Sequence, residues 1–315
     1  MAYILLIIGL IILISSANIL VVGASSIAKK FNVSNLVIGL TVVSFGTSFP
    51  ELIINVIAGI NGQSDLAIGN VVGSNIVNIL LVVGVAALVK PIAVQSNTVK
   101  YEIPFSILAV LVLFVLANDT LFDGAQESVL SRSDGIILLT FFLIFMYYTF
   151  IIAQKSSSEE GHQVKAHPVW KSVAYMVAGI VGLYFGGILI VDNATIIALN
   201  LGLSEAVIGI LVVALGTSLP ELATSIVAAY KGNADMAVGN VVGSNIFNVF
   251  FVLGLGTTIN SISFNSALNL DVLVVLIASL LLYVFVFTRK GRQIDRVEAS
   301  MFLVLYFSYV VWLLL

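Results

Sequence analysis

The sequence predicts an all-α polytopic membrane protein of ten transmembrane helices, arranged as two inverted five-helix repeats, with helices 2 and 7 broken at a GTS-x-PE motif. Three observations carry the prediction. Only 29 of the 315 residues are charged and 60% are apolar, whereas a soluble domain has about 25% charged residues. Ten stretches are long and apolar enough to cross a bilayer. A 47-residue stretch is written twice at a constant offset.

A spanning helix needs about 20 mainly apolar residues. Such stretches run over residues 3–28, 35–60, 66–89, 103–117, 135–153, 172–199, 205–230, 236–259, 270–288 and 298–315, numbered here as helices 1 to 10. The first has no positive segment before it and runs on to Lys29 and Lys30, so it reads as an uncleaved helix rather than a signal peptide. Helices 1–5 fill residues 1–154 and helices 6–10 fill 172–315, with a short cytoplasmic linker at 155–171 that leaves no room for a folded sensing domain. Alternating the loops puts twelve of the thirteen Lys and Arg on the side reached after helix 1, and only Arg132 on the other. Positive loops stay in the cytoplasm. Both termini are therefore expected outside, in a multi-pass cell-membrane protein.

Other classes fall away on composition. Thirteen basic residues and a net charge of −3 offer no phosphate-neutralising face, so no nucleic acid partner is expected. The absence of cysteine removes a disulfide scaffold. No cofactor and no obligate protein partner is evident, and the lipid bilayer is the surrounding phase.

Residues 34–80 align without a gap to 204–250, 170 residues on, with 25 identities. GTSFPE (Gly46 to Glu51) and GNVVGSNIVN (Gly69 to Asn78) return as GTSLPE (Gly216 to Glu221) and GNVVGSNIFN (Gly239 to Asn248). Chance matching of apolar sequence does not reproduce Pro, Glu, Asn, Ser and Gly. Five helices per half is an odd number, so the second half enters the bilayer inverted, a transporter design with its site at the repeat interface.

Glu51 and Glu221 are the acidic residues placed near the middle of a span. An ionised side chain there costs upward of about 2.5 kcal/mol, which makes it a functional-site candidate. Pro50 and Pro220 lack an N–H and clash with the carbonyl four residues back, at Gly46 and Gly216, so helices 2 and 7 should bend across Gly-Thr-Ser. Freed carbonyls in a bilayer need a partner. A cation would supply one, helped by the hydroxyls of Thr47, Ser48, Thr217 and Ser218. A plain proline kink is the alternative, which the adjacent Glu disfavours. Asn70, Ser74 and Asn78 recur every four residues on helix 3, as do Asn240, Ser244 and Asn248 on helix 8, so each trio shares one helix face. Gly69 and Gly73, like Gly239 and Gly243, allow close backbone approach. Asn75 and Asn245 sit off the stripe and are expected to bond neighbouring helices.

Two carboxylates, carbonyls, hydroxyls and amides make an all-oxygen site of charge −2, which suits Ca²⁺. Na⁺ accepts the same donors. His162 and His167 fall in the cytoplasmic loop and read as solvated, so no imidazole or thiolate invites a softer metal. With no His or Cys beside the glutamates, an intramembrane metalloenzyme is disfavoured, and the chain does not read as an enzyme. A channel would need a continuous polar pore rather than polar residues at one depth.

At these residues the sequence resembles the Ca²⁺/cation antiporter superfamily, specifically its prokaryotic sodium/calcium exchangers. The GTS-x-PE and GN-x-x-GSN blocks are similar to that family's two α-repeats, and not to the GNA-x-E-like form of the cation/proton branch. The resemblance implies four ion positions between helices 2, 3, 7 and 8. Glu51 and Glu221 would bind Ca²⁺ and also face Na⁺, with the carbonyls of Thr47 and Thr217 at the calcium position. Ser74, Ser218 and the carbonyl of Ser44 would form an outer sodium position. Ser48, Ser244 and the carbonyl of Ala214 would form the inner one, and Asn78 and Asn248 would flank the middle. Helices 1 and 6 would slide to alternate access. Some relatives have Asp where this chain has Asn248, so the implied exchange is K⁺-independent. The function expected is electrogenic Na⁺/Ca²⁺ antiport exporting Ca²⁺, inhibited by acid; Ca²⁺/H⁺ antiport by the same glutamate pair is the alternative.

Overall fold

The computed structural model of the protein describes residues 1–155, 167–201, 214–288 and 292–314. Those residues are helical apart from loops and two pairs of two-residue strands. Among the described residues, eight helices are long and apolar enough to cross a membrane, and nine if Asn35–Thr47 and Phe49–Asn61, bent by 49°, count as one broken span. The expected helix 7 begins among residues outside the described ones; its described part is Ala214–Thr217 followed by Leu219–Tyr230. The chain is an all-helical, multi-span membrane protein.

Helix 3 (Ser64–Val89) and helix 8 (Ala234–Ile259) form the centre, with 78% and 94% of their apolar windows buried, against 33% for helix 1 (Ala2–Phe31) and 28% for helix 6 (Val169–Asn200). Helices 1 and 6 therefore lie on the outside of the bundle, packed on each other. A Cβ on Gly9 would stand 3.2 Å from the Gly186 carbonyl oxygen, and one on Gly23 would stand 2.7 Å from that of Ser172. That register runs the two helices antiparallel, at a separation that larger residues would forbid.

Glycine has the same use where helix 8 crosses helix 2. Added Cβ atoms on Gly239 and Gly243 would stand 2.8 Å from the carbonyl oxygens of Leu36 and Leu40. Gly69 and Gly73 have no such neighbour among the described residues; the segment equivalent to Leu36–Leu40 in the second repeat lies outside them.

Several helices widen into π-helical turns that the sequence pattern does not announce: Gly39–Val43 in helix 2, Val77–Val83 in helix 3 and Asn248–Leu253 in helix 8. The last two start at or beside the central asparagines Asn78 and Asn248. Wide turns of this kind concentrate at functional sites. In helix 2 the Ser44 hydroxyl donates to the Gly39 carbonyl at 2.6 Å, closing the wide turn from the side.

Strand Ile92–Ala93 pairs antiparallel with Gln293–Ile294, and Val129–Leu130 with Ile262–Ser263. Ile92 and Ile262 stand 170 residues apart, so the repeat persists beyond its most similar stretch.

Two expectations need correction. Helix 4 begins at Thr98, not 103, with a π-helical Thr98–Glu102 leading into Ile103–Leu116. Glu102, at the end of that turn, is fully buried, and Tyr148 donates to its Oε1 at 2.6 Å. His167 is half-buried, with its ring edge-on to Tyr175 and its backbone N–H donating to the Ser26 hydroxyl at 2.8 Å. His162 lies outside the described residues.

Candidate ion site

The two GTS-x-PE motifs break their helices at the same residue. Ser48 (φ −83°, ψ 11°) and Ser218 (φ −88°, ψ 4°) leave helical geometry, and new helices start at Phe49 and Leu219. Pro50 and Pro220 fall in the first turn of these new helices, where a missing N–H costs nothing. Glu51 and Glu221 follow in the same turn, near the positive end of a helix dipole. Both carboxylates are fully buried and within electrostatic reach of each other.

Each carboxylate is held by the polar stripe of its own repeat. Ser74 donates to Glu51 Oε1 and Ser244 to Glu221 Oε1, both at 3.3 Å. The Asn70 amide donates to the Glu51 carbonyl at 3.3 Å, and that of Asn240 to the Glu221 carbonyl at 3.4 Å. The repeats also reach across to one another. Ser48 donates to Glu221 Oε1 at 2.9 Å, Thr217 is a hydrogen-bonding neighbour of Glu51, and Thr47 donates to Asn240 Oδ1 at 3.0 Å.

At the centre, Asn78 Nδ2 donates to Asn245 Oδ1 and Asn248 Nδ2 to Asn75 Oδ1, each at 3.1 Å. Asn75 Nδ2 in turn donates to the Asn245 carbonyl at 3.2 Å. Asn75 and Asn245, read from the sequence only as neighbour contacts, are thus the residues that orient Asn78 and Asn248. Their recurrence in both GSN triplets was the signal for them.

This orientation leaves a group of acceptors with nothing to accept. Glu51 Oε2, Glu221 Oε2, Asn78 Oδ1, Asn248 Oδ1 and the Ser218 hydroxyl are buried without a hydrogen-bond partner. Unsatisfied buried polar atoms are costly and rare. The two repeated segments bring almost no cation of their own: residues 34–80 contain no Lys or Arg, and 204–250 only Lys231, whose ammonium donates to the Asn18 carbonyl. The set consists of oxygens alone, the donor chemistry of hard cations.

The remaining sequence-derived positions fall as follows. The Ser44 hydroxyl lies 3.1 Å from the Asn240 carbonyl, and the Ser44 carbonyl accepts from Ser48 N–H at 2.9 Å. Ala214 lies in the helical turn Ala214–Thr217, the counterpart of Ser44–Thr47.

A bundle of membrane helices that gathers two buried carboxylates and uncompensated oxygens at paired broken helices is an ion-carrying class of membrane protein. The chain belongs to the sodium/calcium exchanger protein family, whose sequence profile matches residues 1–151 and 171–315. It is 38% identical over 317 residues to the putative antiporter CaxA of Alkalimonas amylolytica, covering 98% of this chain and 97% of that one. It is 32% identical over 345 residues to the sodium/calcium exchanger MaX1 of Methanosarcina acetivorans, with 98% and 97% covered. Its fold matches the sodium-calcium exchanger NCX_Mj soaked with 10 mM Na⁺ and 10 mM Sr²⁺, with a TM-score of 0.82, 36% identity and 98% and 97% of the two chains covered.

Proposed function

We propose that the protein is a secondary antiporter that exchanges Na⁺ for Ca²⁺ and exports Ca²⁺ from the cytoplasm, electrogenically and without K⁺. The observation that carries this reading is the set of buried, unpartnered oxygens on Glu51, Glu221, Asn78, Asn248 and Ser218. Ca²⁺ takes the centre, between the two carboxylates, with the carbonyls of Thr47 and Thr217. Na⁺ takes flanking positions, one at Ser74, Ser218 and the Ser44 carbonyl, the other at Ser48, Ser244 and the Ala214 carbonyl. The names of MaX1 and NCX_Mj support the pairing of these two ions.

The physical logic is competition for one charge. A compact site of charge −2 cannot hold both loads, so each ion leaves when the other binds from the opposite side. The chain has ten spans in two inverted halves, 1–154 and 172–315, with the termini outside. The recurrence of matching helix breaks and strands 170 residues apart supports the duplication, and the distribution of Lys and Arg supports the orientation. Helices 1 and 6, the least buried of the elements around the site, move against it.

Purified protein in liposomes tests the reading. ⁴⁵Ca²⁺ uptake should follow an outward Na⁺ gradient, respond to membrane potential and ignore a pH gradient. Uptake that follows only the pH gradient makes the protein a Ca²⁺/H⁺ antiporter instead.

A further inference from the structure

Among the described residues, one carboxylate besides Glu51 and Glu221 has a buried oxygen without a hydrogen-bond partner: Oε2 of Glu102. Glu102 is fully buried and ends the π-helical turn Thr98–Glu102 at the start of helix 4. Tyr148 of helix 5 donates to its Oε1 at 2.6 Å and so fixes which way Oε2 points. The Thr98 hydroxyl, one widened turn earlier, faces the same carboxylate. It is also buried, and it too has no hydrogen-bond partner. Two oxygens thus face each other with nothing joining them. Lys100, two residues before Glu102, is exposed, and no ammonium reaches Oε2.

The second half of the chain holds an instructive relative of this pair. Tyr309 of helix 10 donates to Asp271 Oδ1, at the start of helix 9, at 2.8 Å. Asp271 is only half-buried, and its second oxygen is not among the buried atoms without a partner. Water completes that acid, whereas Glu102 is sealed. A sealed acid in a membrane span needs a partner of its own, and a bare buried oxygen marks a missing water or ion. The wide turn is of the kind that gathers at functional sites.

We propose that Glu102 Oε2 and the Thr98 hydroxyl hold a monovalent alkali cation, Na⁺, at a site separate from Glu51 and Glu221. The donors are oxygens, and a single carboxylate balances a single positive charge. Tyr148 is a positioning residue, since its hydroxyl is committed to Oε1. The site lies on helices 4 and 5, which contribute no residue to the central site, so its ion stays in place while the transported ions exchange.

Equilibrium ²²Na⁺ binding to the purified full chain carrying Glu51→Gln and Glu221→Gln reads this site with the central charge removed. That protein should still bind Na⁺. Adding Glu102→Gln should weaken binding about tenfold or more, and adding Thr98→Val about threefold. Asp271→Asn should change nothing. Thr98→Val keeps the test alive if Glu102→Gln fails to fold. No Na⁺ binding in the double variant, or binding that survives both further substitutions, overturns the proposal. So does an infrared band of a protonated carboxylic acid at neutral pH that disappears in Glu102→Gln, which would put a proton where we place Na⁺. Binding is measured without flux, so its failure leaves antiport standing, and absence of Na⁺-driven Ca²⁺ uptake by the native protein leaves this site standing.

Discussion

Around Glu221, Oε1 accepts the Ser48 hydroxyl at 2.9 Å and that of Ser244 at 3.3 Å; around Glu51, Oε1 accepts Ser74 at 3.3 Å and Thr217 is a hydrogen-bonding neighbour, while Ser218, the counterpart of Ser48, has no hydrogen-bond partner. The flanking residues differ in the same direction. Asn240 is buried and bonded to Ser225 and Thr47, whereas its counterpart Asn70 is only half-buried. The Ser44 hydroxyl, donated to the Gly39 carbonyl, lies 3.1 Å from the Asn240 carbonyl of helix 8, and its counterpart is Ala214, which has no hydroxyl. Nearly identical motifs thus sit in unequal surroundings, closed about Glu221 and less satisfied about Glu51. An antiporter needs such inequality, because one side of the site must open while the other is shut. On the proposed mechanism the two arrangements trade places during the cycle.

The largest expected effect tests what the halves share. Glu51→Gln and Glu221→Gln should each reduce Na⁺-driven ⁴⁵Ca²⁺ uptake about a hundredfold or more, since each removes half of the site's charge. One variant retaining native flux would show that the carboxylates do not act as a pair. Acid comes next. Protons compete with cations for the two carboxylates, and the competition strengthens as pH falls, so uptake should decline several-fold between neutral and mildly acidic buffer. A flat profile over that range contradicts a shared anionic site.

Smaller effects separate the halves. Ser48→Ala removes a hydrogen bond to Glu221 and should lower the stability of the ion-free protein by about 1 kcal/mol. Ser218→Ala removes a hydroxyl with no protein partner, so ion-free stability should not fall, while Na⁺ affinity drops several-fold. Thermal melts with and without Na⁺ read both quantities; equal melting shifts in the ion-free state would remove the asymmetry. The smallest effect concerns Asn248, an amide and not a carboxylate at the centre of the site. Replacing choline with K⁺ should leave the exchange rate unchanged, and K⁺ dependence would overturn the inference from that amide.

Much of the candidate site was legible in the sequence because its chemistry is expensive. Glu51 and Glu221 stand out in apolar spans, Pro50 and Pro220 mark the breaks, and the four-residue spacing put Ser74 and Ser244 on the faces that meet them. What was not legible depends on backbone geometry and on cross-repeat contact. The π-helical turns at Val77–Val83 and Asn248–Leu253 have no compositional mark, since they consist of ordinary apolar residues beside one asparagine. Asn75 and Asn245 lie off the stripe by helical phase, and only the opposing helix brings them onto Asn248 and Asn78. The start of helix 4 was set at 103 because hydropathy cannot see the π-helical turn Thr98–Glu102 that precedes it and brings Glu102 to Tyr148.

The central claim is that Na⁺ drives Ca²⁺ through the Glu51–Glu221 site. Its most direct measurement is ⁴⁵Ca²⁺ uptake into proteoliposomes loaded with Na⁺, with internal and external pH clamped equal. The account predicts uptake that rises with the outward Na⁺ gradient, accelerates when the interior is made positive, since net positive charge leaves with Na⁺ as Ca²⁺ enters, and vanishes in Glu51→Gln and Glu221→Gln. Uptake indifferent to Na⁺ in the native protein would contradict it.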